Sequence, residues 1–155
     1  MTPAPLPAVV LDTNVLLDWL VFRDPEVLHI ADAVTSGRLC WIATHSMRDE
    51  LERVLTYEWI AARQPDSLHI AAIWERYAHT QEPPAPRAPM RCGDPDDQKF
   101  IDLAVARGAQ WLLTKDRELL KLAKRARLRG VAVLRPADWQ DSAADPRSGS
   151  QGAEQ

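Results

Sequence analysis

The sequence predicts an α/β fold, three-layered as α/β/α, around a central parallel sheet of four or five strands. Three observations carry this reading. Short apolar runs of strand length recur at residues 8–12, 39–44, 110–114 and 131–134. Stretches with helical periodicity lie between them, and strands alternating with helices imply a parallel sheet linked by right-handed crossovers. The chain has 155 residues, 46% hydrophobic and 26% charged, an ordinary balance for one compact globular domain with a sizeable core.

The elements follow in order. Residues 8–12 form a buried strand that ends on Asp12. "PEVLHIADAVTSG" (25–37) places Val27, Leu28, Ala31 and Val34 at helical spacing, with Pro25 near its start and Gly37 as a stop. "LCWIAT" (39–44) is a second strand, and Thr44 or Ser46 is positioned to cap the helix "MRDELERVLTY". Pro65 and Asp66 open a further helical run, "SLHIAAIWERYAHT". "QEPPAPRAPMRCGDP" (81–95) is proline-rich and irregular. "DDQKFIDLAVARG" is a helix ending at Gly108, "QWLLT" (110–114) a strand, "RELLKLAKRARLRG" a helix stopping at Gly130 and "VAVL" (131–134) the last strand. The domain is expected over residues 1–140. From Asp141, "DSAADPRSGSQGAEQ" has no apolar content to bury and is expected to be a disordered tail.

Several function classes are disfavoured. A net charge of -3 argues against generic coating of nucleic acid. No run approaches the ~20 apolar residues of a membrane span, and the N-terminus lacks the basic region of a signal peptide. Cys40 and Cys92 are too few for a disulfide framework or a cysteine zinc site, so a cytoplasmic location is expected. The D-x-D-x-T nucleophile motif of haloacid-dehalogenase-type phosphatases is absent, since position 14 is Asn, and no glycine-rich loop follows the first strand.

Acids lie where a buried sheet should not tolerate them. The functional crevice of an open α/β sheet lies beyond the carboxyl ends of its strands. Asp12 ends the first strand, and Asp116 lies two residues beyond the strand at 110–114. At about 100° per residue, Asp97 falls on the stripe of Phe100, Ile101 and Ala104, whereas Asp102 faces the opposite, solvent side. Glu50 borders the apolar stripe of its helix between Met47 and Val54, and Asp49 points outward. Each carboxylate pair at ~4 Å costs on the order of 1–4 kcal/mol at surface-like dielectric. A divalent cation relieves that repulsion, and Mg²⁺ or Mn²⁺ prefers such hard oxygen ligands. Metal-assisted hydrolysis of a phosphodiester is the chemistry such a site suits.

"VVLDTNVLLD", "DELERVL", "DPDDQKFIDLAVARGAQWLLTKDREL" and "ADW", in this order, resemble PIN-domain proteins. The likeness is greatest to a bacterial branch described as toxin components of toxin–antitoxin systems, and it covers roughly residues 8–140. The resemblance implies a metal-dependent endoribonuclease using Mg²⁺ or Mn²⁺, with Asp12, Glu50, Asp97 and Asp116 as its catalytic acids. Asp12, Asp97 and Asp116 would hold the metal. Thr13 and Asn14 correspond to the small polar residues beside the first acid, Thr114 to the hydroxyl ahead of the last, and Asp94 to a further acid of this branch. Glu118, two residues past Asp116, matches an additional acid too loosely to be placed in the site. The resemblance also implies an RNA substrate, an antitoxin protein as partner and a homodimer.

Other readings of these residues stand beside this one. Asp94 before Pro95 is a standard helix opening, and Asp12 and Asp116 are equally placed to cap backbone N–H groups. Asp96 suits a solvated first turn. Lys115, Arg117, Lys121, Lys124, Arg125, Arg127, Arg129 and Arg135 face only Asp116 and Glu118 within residues 115–135. Such a flank suits an RNA backbone, with Lys115, Arg117 and Lys121 nearest the crevice, or simply a solvated helix face. Trp41 and Trp111 lie in strands and read as packing residues, and the four histidines show no ligand spacing. The alternative function is a catalytically weak module of the same fold that acts by binding RNA or protein.

Overall fold

The computed structural model describes residues 6–141. Five parallel strands form one sheet in the order β3-β2-β1-β4-β5. They are β1 (Ala8–Leu11), β2 (Cys40–Ala43), β3 (Ala78–Thr80), β4 (Trp111–Leu113) and β5 (Ala132–Leu134). Helices flank the sheet, giving the three-layer α/β/α arrangement. The winding reverses at β1, with β2 and β3 on one side and β4 and β5 on the other. That reversal opens a crevice beyond the carboxyl ends of the central strands. Val9, Val10, Leu112 and Leu113 are wholly buried, as continuous apolar runs in a doubly covered parallel sheet must be.

Register fixes what meets at the crevice. Leu11 lies opposite Leu113, and the Asp12 amide extends the ladder to the Leu113 carbonyl at 3.1 Å. Asp12 and Thr114 are therefore neighbours although far apart in sequence. After β1 the chain turns directly into α1 (Thr13–Leu17) and then a π-helical turn (Asp18–Phe22). Helix α2 (Pro25–Thr35) is capped by Asp24, and the chain then turns at Gly37 with φ of 83°. Thr44 caps α3 (His45–Val54), where Thr44 or Ser46 was expected to do so. The short α4 (Glu58–Ala61) precedes α5 (Ser67–Tyr77), which Asp66 caps. A 3₁₀ turn (Pro95–Asp97) leads into α6 (Gln98–Ala106), and α7 (Arg117–Leu120) and α8 (Ala123–Arg127) follow β4.

The structure departs from the sequence reading in four places. The run at 67–80 stops being helical at Tyr77, because Ala78–Thr80 pair with Trp41, Ile42 and Ala43 to form edge strand β3. The run at 117–130 breaks into α7 and α8, and both pieces contact β5. Asp102 is half-buried rather than simply solvated. Its Oδ1 accepts hydrogen bonds from the Ala88 amide at 2.7 Å and the Gln98 side chain at 2.9 Å. The proline-rich segment covers that face of α6, burying Ala88, Met90 and Cys92. Finally, Asp141, placed in the tail, is ion-paired with Arg38 at 2.5 Å, while the rest of that expected tail lies outside the described residues. No helix among the described residues is long and apolar enough to cross a membrane.

Candidate active site

Asp12 is buried at the end of β1 and serves as the N-cap of α1. Its Oδ1 accepts from the Asn14 backbone amide at 2.6 Å, and its Oδ2 from the Thr114 hydroxyl at 2.5 Å. The Thr114 hydroxyl accepts in turn from the Asp116 amide at 2.9 Å, so one wholly buried side chain aligns both acids. Asp116 also caps α7, its Oδ2 accepting from the Leu119 amide at 3.2 Å. Its capping role and its place beside Asp12 coexist, because a carboxylate has several lone pairs.

Asp97 closes the 3₁₀ turn ahead of α6, near enough to Asp12 and Asp116 for their charges to act on it. Burial pushes its pKa up to about 7, and the charges of Asp12, Asp116 and Asp94 add to the rise. Burial likewise raises Asp12 to about 6 against the pull of its two hydrogen bonds, and Asp116 and Glu50 raise it further. Among the described residues no cationic side chain forms an ion pair with Asp12, Asp97 or Asp116.

Glu50 projects from α3 to the same place. Its Oε2 accepts from the Thr13 hydroxyl at 2.5 Å, and Lys99 of α6 is ion-paired with Oε1. The structure thus brings Asp12, Glu50, Asp97 and Asp116 together from four separate stretches of chain. Of the other residues singled out, Thr13 and Thr114 hold acids through their hydroxyls, whereas Asn14 contributes its backbone amide. Asp94 is exposed and caps the 3₁₀ turn, its Oδ1 accepting from the Asp96 amide at 3.0 Å, as its structural reading anticipated. Glu118 pairs with Lys121 at 2.9 Å and lies against Gly93, where an added Cβ would overlap its carboxylate. Lys115 is engaged by Asp18 at 2.6 Å, so Arg117 is the one of the three nearest basic residues without an ion pair among those the described residues form. Nothing in the sequence marks Lys99 as part of the site. No local pattern announces a lysine whose partner lies on another helix.

Beside Glu50 a groove of about 650 Å³ runs past Thr44, His45, Glu82, Lys99 and Asp102. Lys99 lines this groove and also pairs with Glu50, whereas the four acids themselves do not line it. As for a metal, the donors at the crevice are all hard oxygens, and a buried carboxylate without a cation stands at its centre. No three His, Cys, Asp or Glu side chains among the described residues are gathered closely enough to hold an ion outright. Mg²⁺ commonly binds through only one or two carboxylates and keeps its waters, so the donor set fits a hard divalent ion.

A family model described as "PIN domain" matches residues 8–118, a span that includes all four acids. PIN domains are in general nucleases and typically use divalent metal ions. No curated protein matches the chain.

Proposed function

This chain belongs to the PIN-domain family, and on that basis we propose that it is a metal-dependent endoribonuclease, acting as the toxin of a toxin–antitoxin pair. The observation that carries the nuclease reading is Asp12: a buried carboxylate, aligned by Thr114 and the Asn14 amide, with other acids around it and no cation of its own. Burial without a counter-ion is costly, and a site that pre-organises such a charge is built for a cation.

Asp12, Asp97 and Asp116 would hold Mg²⁺ or Mn²⁺, with Glu50 alongside. The ion, when bound, supplies Lewis acidity and lowers the pKa of its water. The chain's own residues do the rest. Thr114 keeps Asp12 and Asp116 in fixed relation, which limits reorganisation when charge develops. Asp97, which burial and the neighbouring acids raise to about 7 in the metal-free site, would give up its proton on taking up the ion, so binding would tighten as pH rises. Arg117, Lys124, Arg125, Arg127 and Arg129 are exposed on α7, α8 and the turn after them, and suit the phosphates of an RNA strand entering the crevice. The toxin role rests on the family branch that the sequence resembles. Exposed Trp59, Leu28 and Leu68 are surfaces a protein partner could cover.

The test is cleavage of a pool of single-stranded and structured RNAs by wild type and Asp12→Asn, with Mn²⁺, Mg²⁺ or EDTA. Cleavage that needs the metal and disappears in the variant is expected. Equal cleavage by both proteins, or cleavage in EDTA, contradicts the reading.

A further inference from the structure

We propose that Lys99 fills one cation position of the acidic crevice, so that the site takes up a single divalent ion beside Asp12, Asp97 and Asp116. Glu50 is left to the protein's own ammonium group. This rests on reading the crevice as a divalent-metal site, and adds to it the number of ions and the residue that sets that number.

Glu50 differs from the other acids in what it touches. Lys99 Nζ is ion-paired with its Oε1, and the Thr13 hydroxyl donates to its Oε2 at 2.5 Å. Both oxygens therefore have a donor, and one of those donors is a full positive charge. Asp12 meets only neutral donors, the Asn14 amide and the Thr114 hydroxyl. Asp97 has no cationic partner among the described residues and lies in the field of Asp12, Asp116 and Asp94. Among the described residues the cation paired within the cluster thus stands at Glu50, and the acids without one are Asp12, Asp97 and Asp116.

Lys99 is held in place rather than waving in solvent. Its ammonium also donates to the Asp96 carbonyl and lies 4.9 Å from the centroid of the Phe100 ring, and its side chain is only 25% exposed. Ordering a lysine costs up to about 2 kcal/mol of rotamer entropy, which these contacts offset together. A divalent ion approaching Glu50 would have to displace a compact, anchored positive charge or sit beside it. Lys99 acts through Glu50 and is a positioning residue.

The experiment counts Mn²⁺ bound per chain by calorimetric titration of the metal-stripped, full-length protein. Wild type and Lys99→Arg are expected to bind one ion. Lys99→Met, which keeps the stem but not the charge, is expected to bind two, and adding Glu50→Gln should return the count to one. Lys99→Gln serves for the same count if the methionine variant does not fold. A structural role alone would not change the stoichiometry. Two ions in the wild type, or one in Lys99→Met, overturns the proposal while leaving the metal site standing. No ion in the wild type overturns both.

Discussion

Asp12 shows how far a single residue departs from what its surroundings favour. Its pKa of about 6 and that of Asp97, about 7, lie above the 3.8 each would have in an unfolded chain. The folded protein therefore binds protons more tightly than the unfolded chain between about pH 4 and pH 7, and stability falls as pH rises through that window. Melting of the metal-free protein should show Tm decreasing from pH 5 to pH 7.5, with a shallower slope in Asp12→Asn. A wild-type Tm that rises across this range, with no difference in Asp12→Asn, contradicts the assignment. In Mn²⁺ the trend should reverse, since ligands must shed protons to bind. Thr114→Val tests the alignment. It removes both a donor to Asp12 and an acceptor for the Asp116 amide, and should cost about 1–3 kcal/mol in denaturant melts. It should also move the pH profile of cleavage upward, because Asp12 loses a hydrogen bond that lowers its pKa.

Helices α3 and α6 carry the acids that do not come from strand ends, and here the limits of sequence reading are visible. Periodicity places Asp97 and Glu50 toward the interior of their helices, and both acids lie beside the crevice. It places Asp102 away from the core, which holds, but what lies on that side is the segment 81–94 as well as solvent. A helical wheel reports which face is which, not what covers the other one. Lys99–Glu50 and Thr13–Glu50 are contacts between separate elements, and no pattern within either element encodes them. The edge strand β3 was equally hidden, because its three residues take their conformation from β2 beside them. Gln98 and Asp102 tie that proline-rich segment to α6 through Ala88, Met90 and Cys92. Asp102→Ala should leave the Ala88 amide without its acceptor and destabilise the protein by about 1–3 kcal/mol. Faster amide exchange confined to residues 85–92 would confirm this, and unchanged exchange there would refute it.

At the scale of the whole molecule the topology does the assembling. Because β1 is central and the winding reverses there, the carboxyl ends of β1 and β4, the starts of α6 and α7 and Glu50 of α3 come together. The alternation of apolar runs made four of the five strands legible, and with them the crevice. The basic segment at 115–135 was legible as charge but not as surface, since Lys115 and Lys121 are engaged by acids. Arg125→Glu with Arg129→Glu should weaken RNA binding and flatten its salt dependence while leaving Mn²⁺ binding unchanged. Binding with an unaltered salt slope would place the RNA elsewhere. The account turns on the acids awaiting a cation, and Tm at pH 7.5 with and without Mn²⁺, for wild type and Asp12→Asn, tests that most directly. It predicts that Mn²⁺ raises the wild-type Tm, whereas Asp12→Asn begins at an equal or higher Tm and gains little. A wild-type Tm indifferent to Mn²⁺, or an Asp12→Asn variant that is markedly less stable without metal, would contradict it.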